Sequence, residues 1–116
     1  LFSPRSANLK EVVSTHLYSN ITIPQLAKLC GMSVSAFKRE FEKCYRMAPN
    51  NYFIEMRIKR SCELLKTTAK NISEIAFEIG FNDPAYFART FKRKAGMSPT
   101  DYRTNAESQK SLTTNQ

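Results

Sequence analysis

Residues 72–103 read ISEIAFEIGFNDPAYFARTFKRKAGMSPTDYR, and residues 23–53 read IPQLAKLCGMSVSAFKREFEKCYRMAPNNYF. The second stretch is an earlier copy of the first. Ile23, Leu26, Ala27 and Gly31 recur 49 positions later as Ile72, Ile75, Ala76 and Gly80. After the glycine the offset becomes 50. Ser33, Phe37, Arg39, Phe41, Met47, Pro49 and Tyr52 then match Asp83, Phe87, Arg89, Phe91, Met97, Pro99 and Tyr102. One extra residue in the second turn accounts for the change of offset. The chain therefore carries one supersecondary unit twice.

Each copy reads as a short helix, a glycine-containing turn and a longer helix. That is the outline of a helix-turn-helix. Ala27 and Ala76 let the two helices of a unit approach closely, and Gly31 and Gly80 accept the positive φ of the turn. Thr22-Ile23-Pro24-Gln25 has the form of a capping box, with Ile21 and Leu26 placed as a hydrophobic staple. Ser33 caps the next helix, on which Phe37, Phe41 and Tyr45 lie one turn apart. Upstream, a helix is expected after Ser3-Pro4, with Leu9, Val12, Val13 and Leu17 as its buried stripe. Pro49 opens a longer helix running to about Thr67, free of internal Gly and Pro, which should act as a rigid spacer.

The expected fold is all-α: two helix-turn-helix subdomains joined by a long linker helix. Residues 1–48 form the first subdomain, 49–67 the linker and 68–103 the second subdomain. Residues 104–116, rich in Thr, Ser, Asn and Gln without periodicity, are expected to be a flexible tail.

Composition narrows the function. The 116 residues carry 18 Lys plus Arg against 10 Asp plus Glu, a net charge of +8, which favours an anionic partner. Apolar residues make up 41%, enough for a core, but no run approaches the ~20 needed to span a membrane. Cys30, Cys44 and Cys62 are odd in number and far apart, which argues against a disulfide framework and for a reducing cytoplasm. The single histidine, His16, leaves too few ligands for structural zinc and little histidine-based acid–base chemistry. No cofactor is expected. The chain opens on Leu1 rather than Met, and is read as a fragment whose upstream effector or dimerisation domain is missing.

At this point the chain resembles a known family. Residues 22–103 are similar to the two-helix-turn-helix DNA-binding domain of the AraC/XylS transcription regulators of bacteria. The resemblance is carried by Ile75-Ala76, Gly80-Phe81, Tyr86-Phe87, Phe91-Lys92, Gly96-Met97-Ser98-Pro99 and Tyr102-Arg103 in the second copy. Leu26-Ala27, Ser33, Arg39-Glu40-Phe41, Arg57-Ile58 and Leu64-Leu65 add to it. Arg46 departs from the pattern, standing where the second copy has Gly96, with little expected consequence. The resemblance implies a sequence-specific binder of double-stranded DNA, more often an activator, with RNA polymerase as a further partner.

The helix spacing then nominates residues. With Phe37 and Phe41 facing inward, Ser35, Ala36, Lys38 and Arg39 take the outward N-terminal part that enters the major groove in helix-turn-helix proteins. Their counterparts are Ala85, Tyr86, Ala88 and Arg89. Arg39 and Arg89 can each offer a bidentate guanidinium to guanine, and Lys38 can reach guanine or phosphate. Tyr86 has two readings, packing on a thymine methyl or bracing the turn. Lys43, Lys92, Arg93 and Lys94, further along the two helices, are expected on phosphate, with Ser33 at a helix start that approaches it. Asp83, followed by Pro84, is first of all a cap. Arg57, Lys59 and Arg60 fit either a backbone contact or plain solvation. The linker's ~18 residues at ~1.5 Å each span ~27 Å, comparable with the ~34 Å between successive major-groove faces.

Two rival functions remain at this stage. A non-specific architectural or RNA-binding helical protein shares the charge but not the duplicated readers. An alkyl-accepting DNA-repair protein would need Cys30, Cys44 or Cys62 as nucleophile, yet none has a helpful histidine beside it.

Overall fold

The structure is a computed structural model; it describes the backbone of residues 4–114 and the side chains of residues 8–109. Among the described residues seven helices follow in order: α1 (Pro4–His16), α2 (Ile23–Leu29), α3 (Val34–Tyr45), α4 (Pro49–Thr67), α5 (Ile72–Glu78), α6 (Pro84–Ala95) and α7 (Pro99–Thr114). No strand occurs among the described residues. The chain divides into two compact units, Leu1–Met56 and Arg57–Gln116, so the boundary falls inside α4.

In the first unit α2 starts where a reciprocal cap fixes it. The Thr22 hydroxyl accepts the Gln25 N–H at 3.2 Å, and the Thr22 N–H donates to Gln25 Oε1 at 2.9 Å. Gly31, at φ +68°, turns the chain, and the Met32 N–H reaches back to the Ala27 carbonyl at 2.9 Å. Leu9 and Val13 of α1, and Leu17 just after it, close over Leu26, Ala27, Phe37, Phe41 and Phe53, with Val12 and Ile21 at the margin. Phe37 and Phe41 are completely buried, each contributing ~1.5–3 kcal/mol. The Tyr45 ring stacks on Phe41 at 4.4 Å, and Tyr52 meets Phe41 edge-on at 5.5 Å.

The second unit repeats this construction with different residues. A second capping box opens α5: Asn71 Oδ1 accepts the Glu74 N–H at 2.8 Å, and the Asn71 N–H donates to Glu74 Oε1 at 2.9 Å. Gly80 (φ +101°) makes the turn, and Phe81 N–H bonds the Ala76 carbonyl at 2.9 Å, as Met32 does in the first unit. Phe81, Phe87, Phe91 and Tyr102 form a chain of rings with centroids 5.4–5.8 Å apart.

Two contacts tie this unit to α4. Arg103 donates from Nε to the Leu65 carbonyl (3.0 Å) and from Nη2 to the Thr68 carbonyl (3.2 Å), so a cation caps the negative end of α4. The half-buried Arg57 lays its guanidinium against Gly80, where a Cβ would come within 2.9 Å of its Cζ. Burial lowers the Arg57 pKa from its ordinary value. It is a packing residue rather than a solvated surface charge.

Two expectations change. Residues 104–114, expected as an aperiodic tail, continue α7 instead. Nothing there breaks a helix: no Gly or Pro follows Pro99, the Thr104 hydroxyl bonds the Thr100 carbonyl, and Asn105 Nδ2 reaches Met97 Sδ at 3.4 Å. Residues 115 and 116 lie outside the described backbone. Arg46 also matters more than expected. It occupies the left-handed region at φ +62° to cap α3, as Gly96 (φ +86°) caps α6, and a side chain there is strained.

Candidate nucleic-acid interface

Each unit presents one amphipathic helix with its aromatic stripe inward and its polar stripe in solvent. On α3 the Ser33 hydroxyl accepts the Ala36 N–H at 3.1 Å, which fixes the helix start. Ser35, Lys38 and Arg39 are exposed on the side away from Phe37 and Phe41. Ala36 is half-buried and packs against the core, so only part of its methyl faces outward. Lys43 is exposed, but its Nζ already lies 3.3 Å from Glu40 Oε2. Any anion reaching Lys43 would have to compete with this weak surface ion pair.

On α6 the Asp83 carboxylate accepts the Ala85 N–H at 3.0 Å and Pro84 occupies the first turn. Ala85, Tyr86 and Arg89 are exposed, and Ala88 is half-buried. The Tyr86 ring lies 5.6 Å from Phe81, bracing the turn, and 41% of the residue stays in solvent. Lys92, Arg93 and Lys94 are all exposed and make no ion pair among the described residues. The residue that matches the half-buried Glu40 in the repeat differs in kind. Thr90 is completely buried, and its hydroxyl finds no hydrogen-bond partner.

The two faces differ in charge. Helix α6 carries Arg89, Lys92, Arg93 and Lys94 and no acid, whereas α3 sets Lys38, Arg39 and Lys43 against Glu40 and Glu42. Sequence reading passed over Glu42, although its repeat position, 50 before Lys92, marks a reversal of sign.

The remaining polar groups offer little chemistry. Cys30 is buried, and burial pushes its thiol pKa up, the reverse of nucleophile activation. Among the described residues no group of His, Cys, Asp or Glu is placed to hold a metal ion, and no helix is long and apolar enough to cross a membrane.

A family profile described as a helix-turn-helix domain matches residues 26–105, well over half of the chain. The chain belongs to the AraC-type helix-turn-helix family. It is 40% identical over 83 residues to the uncharacterized HTH-type transcriptional regulator YdiP of Escherichia coli (strain K12), covering 72% of this chain and 27% of that protein. It is 31% identical over 103 residues to the HTH-type transcriptional regulator AlkR of Acinetobacter baylyi, covering 89% and 34%. The chain thus spans about a third or less of either relative. Among solved structures it is similar to the DNA-binding domain of AdpA, a global transcriptional factor seen in complex with a target DNA. The TM-score there is 0.83 at 30% identity, over 88% of this chain and 95% of that one. These relatives are named as transcriptional regulators, not as enzymes.

Proposed function

We propose that this chain is the sequence-specific, double-stranded DNA-binding domain of a bacterial transcription regulator. Helices α3 and α6 are its recognition helices, each entering the major groove by its N-terminal, outward part. One observation carries the reading. Arg39 and Arg89 occupy matched positions, both exposed on helices whose opposite stripes are fully buried phenylalanines. A guanidinium in that place suits the O6 and N7 acceptors of guanine.

Base reading falls to Ser35, Ala36, Lys38 and Arg39 in one unit and to Ala85, Tyr86, Ala88 and Arg89 in the other. Phosphate contact falls to Lys92, Arg93 and Lys94, with Ser33 and Lys43 in the first unit. Because the two sets differ, the site read is asymmetric. The uninterrupted 19 residues of α4 support a reading in which the two helices take successive major grooves. In the whole protein the domain works in the cytoplasm, under an upstream effector or dimerisation domain. It acts there as an activator contacting RNA polymerase.

Selection of bound duplexes from a random oligonucleotide pool tests this. Enrichment of one asymmetric sequence with two conserved blocks is the expected result. Recovery of no sequence above background refutes it.

A further inference from the structure

The repeat that aligns the two recognition helices also marks where they part. At offset 50 the exposed Lys92 of α6 is matched by the exposed Glu42 of α3. Glu42 lies three and four residues beyond Arg39 and Lys38, so all three side chains share the outward stripe of α3. Its neighbour Glu40 is turned toward the core edge and pairs with Lys43. Glu42 has no ion-pair partner among the described residues. With Lys38 it lines a shallow recess floored by Ile23, Ala48, Pro49 and Asn50.

A carboxylate on this stripe repels phosphate, so it opposes binding unless a donor meets it. In the major groove the donors are the exocyclic amino groups of cytosine and adenine, and an ionised carboxylate accepts but cannot donate. Adenine offers its amino group beside the N7 acceptor, which repels a carboxylate. Cytosine offers N4 without that penalty, and Glu is suited to it. Resting on the DNA-reading function proposed above, we infer that Glu42 is a specificity-determining residue that accepts a hydrogen bond from the N4 amino group of a cytosine. That cytosine lies next to the base pair read by Arg39. The first unit then binds well only where this cytosine is present. The second unit, with Lys92 in the same place, grips any backbone. At this one register the first copy discriminates and the second grips, while both copies keep their other base readers.

The test uses the full chain, the duplex recovered by selection, a set with each base pair replaced in turn, and a random duplex. Fluorescence anisotropy gives the Kd of wild type, Glu42→Ala and Glu42→Gln on each. Wild type should lose about 5- to 150-fold when one particular C·G pair is replaced. Glu42→Ala should lose that preference alone, while binding random duplex several-fold more tightly because a charge facing phosphate is gone. Glu42→Gln, which both donates and accepts, should shift the preference at that pair toward adenine. If Glu42→Ala strengthens binding to every duplex by one common factor and leaves the base profile unchanged, the carboxylate is only a surface charge and the inference falls. A lowered melting temperature with uniformly weakened binding would make it a structural residue, which also overturns the inference. A wild type with a base preference at the Arg39 position but none for a neighbouring cytosine overturns Glu42 alone. A wild type with no base preference anywhere overturns the DNA-reading function as well.

Discussion

The two turn glycines occupy the same place in the repeat, yet they should tolerate alanine very differently. Gly31 sits at φ +68°, inside the left-handed region, and a Cβ there meets nothing within 4 Å. Gly31→Ala should therefore cost only the left-handed strain of an L-residue, about 1 kcal/mol. Gly80 sits at φ +101°, beyond that region, and its Cβ would lie 2.9 Å from the Arg57 Cζ and Nε. The backbone strain is larger, and the half-buried guanidinium must move, so Gly80→Ala should cost about 2–3 kcal/mol. At ~2.1 cal/mol/K per residue, unfolding all 116 residues together carries an entropy of about 0.24 kcal/mol/K. The melting temperature should then fall by about 4 °C for Gly31→Ala and about 8–12 °C for Gly80→Ala, read by circular dichroism at 222 nm. A double-mutant cycle separates the two causes at Gly80. In an Arg57→Ala background the cost of Gly80→Ala should shrink by at least ~0.5 kcal/mol, because the obstructing side chain is gone. Equal losses at the two glycines, or strict additivity of Gly80→Ala with Arg57→Ala, would refute the reasoning.

Four further outcomes are expected. Arg39→Ala should cost ~1–3 kcal/mol on the preferred duplex and relax preference at one base pair, whereas Lys92→Ala should weaken all duplexes alike and lower the salt slope by about one; equal losses on specific and random DNA for both would sink the division between reading and gripping. With ~6–10 phosphate contacts, affinity should fall by about 10³–10⁵ between 50 and 200 mM salt, and a flat titration would remove the phosphate assignments. Arg46→Gly should raise stability by about 0.5–1 kcal/mol by relieving the left-handed cap at φ +62°, and an unchanged or lowered melting temperature would show that the arginine is unstrained. Burial first, then the neighbouring Tyr52 and Cys44, push the Tyr45 pKa up to about 12. The unfolded chain ionises near pH 10 while the folded chain does not, so Tyr45's contribution is intact below pH 10 and is lost between there and about pH 12. Tyr45→Phe should flatten that part of the pH–stability curve, and an unaltered slope would contradict the assignment.

The apolar skeleton of both units was legible because helical periodicity repeats whatever the partner. Phe37 and Phe41 recur as Phe87 and Phe91, and Leu9, Val13 and Leu17 fall on one face before any contact is known. The bounds of α4 were legible for a related reason, since Pro49 suits the first turn of a helix and no Gly or Pro interrupts the run to Thr67. Polar structure was harder to read because its meaning depends on what lies opposite. The Asn71–Glu74 capping box repeats Thr22–Gln25 position for position with both residue types changed, and the structure shows both of its hydrogen bonds formed. The contacts of Arg103 with the Leu65 and Thr68 carbonyls join residues 38 and 35 apart, beyond any local pattern. The packing of Arg57 on Gly80 is likewise visible only once the turn has been placed. In α7 the helix after Tyr102 is carried by polar residues with little apolar stripe, which periodicity cannot distinguish from coil. The candidate site divides along the same line. Arginines at matched positions announce themselves through the repeat. The pairing of Lys43 with Glu40, and the carboxylate of Glu42 without an ion-pair partner among the described residues, emerge only when each charge is given its neighbours. A duplicated fold thus keeps its apolar positions in register and varies its polar ones, and it is in the polar differences that the two copies can read different bases.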